Sequence, residues 1–315
     1  MLHMRLIVPH ELTGAVLDRL STTPGVAHII RGSGSATRPE GGVVLCDVAR
    51  EAANEVVEWL ESLGVHRHGA ITVEAVDAIS SDAATAAETL APGHGSDALV
   101  WEELESRVRA EAVLTVSFLA FMAVAAIIAA VGILLDSPVL VIGAMVVGPE
   151  YGPLAALCVA VVRRGRQPAS VAAVTLGTGL IVAAAAALLA TIAFRLTGLA
   201  PEAYGLGDRE LTAFISHPDG MAVAVAILAG IAGMLSLTEA RSGALVGVLV
   251  SVTTIPAASN VGVATAYREW SEVGGAAVQL GLNVAALVMS GIATLALQAR
   301  VTTRPRRAPV GGRSA

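Results

Sequence analysis

The sequence predicts an α-helical polytopic membrane bundle preceded by a small soluble α+β domain. Three observations carry that expectation. The chain is 55% hydrophobic with a mean hydropathy of +0.71, yet only 3% aromatic, so its apolar mass is Ala, Val, Leu, Ile and Gly. That is the palette of closely packed membrane helices. Charge is segregated, dense over residues 1–111 and almost missing over 112–299 outside short connections. Ahead of the apolar region, short strand-like and helix-like segments alternate.

Residues 4–77 read in the order βαββαβ. "MRLIVP" has strand character, and "ELTGAVLDRLSTT" places Leu12, Val16, Leu17 and Leu20 on one helical face. "GVAHIIRG" and "GGVVLCDVA" are two further strands, joined by "RGSGSATRPEGG" (31–42), read as a flexible connection. "REAANEVVEWLESLG" is an amphipathic helix stopped by Gly64, and "GAITVEAVDAI" is the last strand. This order predicts a ferredoxin-like, split-βαβ domain. Residues 78–97 are small and polar with Pro and Gly, the composition of a linker. Residues 98–111 then form a charged juxtamembrane helix.

Six apolar stretches follow: 112–135, 137–162, 167–194, 220–238, 242–267 and 273–299. Each is long enough for a hydrocarbon core that needs about 20 helical residues. Only the second holds a full charge, Glu150. Orientation follows from arginine, since all 20 basic residues are Arg. With the N-terminal domain inside, Arg107, Arg109, Arg163, Arg164, Arg166, Arg241 and the tail from Arg300 to Arg313 flank the cytoplasmic side. Only Arg195, Arg209 and Arg268 flank the other. The positive-inside bias therefore puts both termini, including the basic tail 300–315, in the cytoplasm. The Ala-, Gly- and Arg-rich, Lys-free composition suggests a GC-rich bacterial genome, and with six spans the expected location is the inner, plasma membrane of a bacterial cell.

The second span, "VLVIGAMVVGPEYGPLAAL", carries two prolines and a carboxylate at mid-length. Proline removes a helical hydrogen bond, and a charge at bilayer depth is costly. The fifth span, "ALVGVLVSVTTIPAASNVGVA", has the same build around Pro256, 107 residues after Pro149. The first and fourth spans start 108 apart and the third and sixth 106 apart. Spans one to three and four to six thus read as two copies of one three-span unit. An odd span number makes the second copy inverted. Matching interrupted helices in inverted repeats point to a transporter binding site. Backbone groups freed at such breaks must face protein, water or a ligand.

The motifs "GAMVVGPEYGPL", "GIAGMLSL", "GVLVSVTTIPAASNVG" and "GLNVAAL", in this order, resemble the bacterial hydrophobic membrane family catalogued as domain of unknown function 389. The resemblance covers about residues 110–299. It implies a multi-span integral membrane protein, often with a small soluble domain, and transport. The family's glycine and proline positions correspond to Gly143, Gly148, Pro149, Gly152, Pro153 and Pro256. This chain departs from the pattern at Glu150-Tyr151, where the family commonly has Leu-Met, and at Pro256-Ala257, where proline is commonly doubled.

The candidate substrate- or ion-binding residues are Glu150, Pro149, Tyr151, Gly152, Pro256, Ser259, Asn260, Thr254 and Asn283. An ionised, unpaired Glu150 at mid-bilayer has three escapes: protonation, a bound cation, or an Arg partner. No span offers the Arg at that depth. The freed N–H groups favour an anion and Glu150 a cation or proton, so the residues leave solute charge open. Asn260 and Asn283 carry amides that need several partners. The sequence shows no zinc motif, nucleophile elbow or dinucleotide fingerprint, so neither enzyme, metal nor cofactor is expected. The expected partners are the lipid bilayer, a small solute or ion and further copies of the chain, with no nucleic acid. The function expected is that of a transporter or channel. The alternative is a membrane-anchored sensor or scaffold whose soluble domain binds a ligand or partner.

Overall fold

The computed structural model describes residues 1–76, 78–91, 100–202, 204, 211–212, 215, 220–238 and 254–302. They divide into two compact units, Met1–Leu104 with Gln298–Ala315, and Glu105–Leu297.

The first unit is built on a four-stranded antiparallel sheet of β1 (Leu2–Val8), β2 (Val26–Thr37), β3 (Glu40–Val48) and β4 (Ala70–Ala75), in the order β2-β3-β1-β4. Strict alternation in β1 turns Leu2, Met4, Leu6 and Val8 to one face. There they meet Val16 and Leu20 of α1 (His10–Thr22) and Val56, Val57 and Leu60 of α2 (Arg50–Ser62) in one core. Gly64, at φ 75°, ends α2 in the left-handed conformation that glycine adopts without strain. A single turn, α3 (Val65–His68), leads into β4.

Two segments differ from expectation. Residues 31–37, expected as a flexible connection, continue β2: Ser35, Ala36 and Thr37 pair with Gly42, Gly41 and Glu40 after a register shift. The glycines serve packing there, since a Cβ on Gly42 would lie 2.8 Å from Thr13 Oγ1. Within the expected linker, Asp82–Leu90 forms a helix, α4, with Ser81 as its N-cap. Ala84 and Ala87 give it a buried face, which polar composition concealed because alanine packs at close range. The rest of that linker, from residue 92, lies outside the described residues.

The second unit is helical. The helix α5 (Trp101–Glu111) ends in it, and α6 (Val116–Leu134), α7 (Pro138–Val147), α8 (Tyr151–Val162) and α9 (Arg166–Leu196) follow. After them come α10 (Gly220–Thr238), α11 (Ile255–Tyr267) and α12 (Trp270–Thr302). Four of these, α6, α9, α10 and α12, are long and apolar enough to cross a membrane, and five segments qualify if the bent pair α7 and α8 is one span. Of the expected fifth span only the part from Thr254 is described; residues 242–253 lie outside. The core where α6, α9 and α11 cross is dominated by alanine, with Ala125, Ala129, Ala183, Ala187 and Ala258 fully buried. Such small side chains let helix axes approach closely. Large apolar side chains face outward instead, Ile181 being 72% and Leu189 66% exposed. An outward apolar surface on several long helices is compatible with a multi-pass membrane protein.

Candidate functional site at the helix breaks

Helix α7 stops because Pro149 offers no N–H and pushes the residue before it into extended backbone. Gly148 accordingly sits at φ −71°, ψ 131°. The chain restarts as α8 with Glu150 in the N-cap position, and the two helices are bent 57° apart. Pro153 falls in the first turn of α8, where a helix has no use for its N–H. A second helix start is built in a similar way, and the residues just before it, up to 253, lie outside the described ones. Thr254 is the N-cap of α11, and Pro256 occupies its first turn. Pro256 is the second residue of its helix and Pro153 the third of its own, whereas Pro149 lies ahead of its helix start.

The two starts meet. The Thr254 hydroxyl donates to Glu150 Oε1 at 2.9 Å, across 104 residues of sequence. Thr254 is fully buried and Glu150 is 1% exposed. Among the described residues, Glu150 Oε2 has no hydrogen-bond partner. A Cβ on Gly148 would collide with the Ile255 side chain and with that same Oε2, so only glycine lets the two helix starts approach this closely. Neither helix start has a side-chain cap hydrogen bond, so the carboxylate is held at this point by the Thr254 hydroxyl.

The remaining candidates separate. Pro256, Ser259 and Asn260 are buried on α11 next to this meeting point. Ser259 Oγ has no partner among the described residues. Asn260 Oδ1 accepts from the Tyr204 hydroxyl. Tyr151 turns elsewhere, its hydroxyl donating to the Gly233 carbonyl of α10 at 2.8 Å. Gly152 abuts Glu111, whose Cβ would lie 2.6 Å from an added Cβ, so it is a packing position. Asn283 is buried on α12, where its Oδ1 accepts from Gln279 one turn earlier at 3.1 Å. The sequence missed an aromatic clasp beyond Asn260. Tyr204 stacks on Tyr267 at 4.9 Å between ring centroids, and the Arg195 guanidinium lies 4.4 Å from the Tyr267 ring centre. No periodicity marks such a contact, because its members come from three separate segments.

A second polar cluster lies in the first unit, on the sheet face away from its core. Asp47 of β3 bridges His3 Nδ1 at 2.8 Å and His28 Nδ1 at 2.7 Å. His28 Nε2 in turn meets Ser81 Oγ at 2.8 Å. His28 reaches that face because a register shift in β2 puts it at φ 47°. Burial pushes the Asp47 carboxyl up, but the bonds and charges of the two histidines outweigh it and hold the group below the ordinary aspartate range.

No curated protein and no solved structure matches the chain. One family does: residues 145–289 match the family described as Domain of unknown function (DUF389). That stretch runs from the end of α7 into α12, so the α7–α8 break, the start of α11 and the Glu150–Thr254 contact all fall inside the matched region.

Proposed function

We propose that this protein is a multi-pass membrane transporter or channel for a small solute or ion, coupled to protons or cations through Glu150. The observation that carries the reading is the Glu150–Thr254 hydrogen bond, which joins the starts of two helices in a buried setting. Breaks free backbone groups, and a binding locus is the usual use of such groups when two breaks coincide. The unpartnered Oε2 is a further acceptor at that point, open to a proton or a cation. In this reading the bundle has six spans in an inverted 3+3 repeat. Both termini lie in the cytoplasm of a bacterial cell, several copies assemble, and no enzymatic step takes place. The sheet order β2-β3-β1-β4 supports a ferredoxin-like plan for the first unit, which regulates the bundle or helps it oligomerise.

The test is flux into proteoliposomes with the full chain and its Glu150→Gln variant. The variant keeps an oxygen for Thr254 but cannot ionise. Expected are solute or ion flux in the parent and a loss of its pH dependence in the variant. Flux with unchanged pH dependence removes the coupling role. No flux for any ion or small solute, together with a Ser259→Cys thiol shielded from water-soluble reagents, removes the transport reading. The alternative, a membrane-anchored sensor or scaffold, draws support from the His3–Asp47–His28–Ser81 chain, a polar network on the soluble unit that the bundle does not need.

A further inference from the structure

From Glu105 onward, α5 runs antiparallel to α8 and is pinned at two places. Arg163 Nε donates to Glu105 Oε1 at 2.8 Å, and Glu111 abuts Gly152. Between these pins α8 offers Ala156 and Ala160, side chains too short to close the gap. A cleft of about 500 Å³ opens there between α5, α8 and the first turns of α9. Its lining is divided by polarity. Arg109, Arg163 and Gln167 join Glu105 as the polar part, while Val108, Ala112, Val159 and Val171 are apolar. Two guanidinium groups against one carboxylate leave the cleft net positive. Among the described residues no ion pair involves Arg109, whereas Glu105 already holds Arg163.

The cleft also lies at a boundary in sequence polarity. Helix α5 is the last charged stretch before the apolar α6, and Arg163, Arg164 and Arg166 crowd the turn between α8 and α9. In a bilayer this is the level at which headgroups give way to hydrocarbon. We propose that the cleft binds an anionic phospholipid, its headgroup phosphate on Arg109 and Arg163 and the start of an acyl chain along the Ala and Val wall. Guanidinium groups match phosphate oxygens in planar, charge-assisted pairs. Basic pockets between spans on the cytoplasmic side hold anionic headgroups. Free phosphate would meet the arginines but leave the apolar wall wet, so the shape and lining favour the lipid. The proposal rests on membrane embedding and not on transport at the helix breaks.

The test uses the full chain in nanodiscs of phosphatidylcholine, alone or mixed with phosphatidylglycerol. Retained lipid is counted by native mass spectrometry, and the melting midpoint is followed. Phosphatidylglycerol is expected to be retained over phosphatidylcholine and to raise the midpoint. Arg109→Gln should weaken retention about fivefold, the effect of one basic residue near the surface. Ala156→Leu fills the apolar part without touching charge and should abolish retention. Arg268→Gln, outside the cleft, should leave it unchanged. Equal retention of both lipids overturns the proposal, as does full retention in Arg109→Gln or an equal loss in Arg268→Gln. If inorganic phosphate in detergent gives the same stabilisation, the ligand is free phosphate and the lipid assignment falls. Should Ala156→Leu fail to fold, Arg109→Gln decides by itself.

Discussion

At the scale of single residues, Glu150 and Asp47 show two ways to keep a carboxylate away from water. Glu150 has one hydroxyl partner, Thr254. Asp47 has two imidazoles and a partial view of solvent. Removing the hydroxyl in Thr254→Val leaves a buried acceptor unmatched, which costs about 1–3 kcal/mol. The expected result is a lower melting midpoint in detergent, recovered by Thr254→Ser; a midpoint unchanged in the valine variant would mean the bond contributes nothing. For Asp47 the sign follows from a carboxyl held below its ordinary value of 3.8. Its stabilisation is fully present above that value and lost as pH falls through the lower folded value. Denaturation of the first unit across acid pH should therefore show a falling limb below about pH 4. Asp47→Asn should be less stable at neutral pH and have a flatter limb. Equal slopes in both proteins would place the acid sensitivity at other groups.

At the scale of elements, close packing decides which changes the bundle tolerates. Gly262 of α11 faces the backbone of α9 around Ala184 and Leu188, with Ala187 Cβ 3.0 Å from where its own Cβ would stand. Nothing flexible is there to yield, so Gly262→Val must push two helices apart. Overpacking of this kind costs about 1–3 kcal/mol or more. The midpoint of Gly262→Val should fall well below that of Gly177→Ala, a site with open space around it. The same comparison explains what was legible in the sequence. Pro149 announced the interruption between α7 and α8, and Pro256 the start of α11, because proline acts through local backbone chemistry. That Tyr151 and Gly152 would turn to α10 and to Glu111, away from the break, was not legible, since one helix presents successive residues about 100° apart.

At the scale of the whole molecule, the two compact units predict separable folding. A fragment of residues 1–104 includes the sheet, α4 and Val100, which is buried in the first unit's core. It should be soluble and melt cooperatively, as followed by circular dichroism. A fragment ending at residue 77 lacks α4 and Val100 and should melt at a lower temperature. Equal melting would show that those segments add no stability. Sequence by itself determined what depends on composition and short-range chemistry. It set the apolar helices, the polar unit ahead of them, the proline break between α7 and α8 and the alternating core of the sheet, because hydrophobicity and backbone restriction act locally. Only the tertiary structure decided that Thr254 faces Glu150, that a bulge carries His28 onto Asp47, and that alanines open a cleft beside Arg109. Each of those contacts joins distant segments, and their meeting depends on how helices and strands pack, which no local pattern encodes.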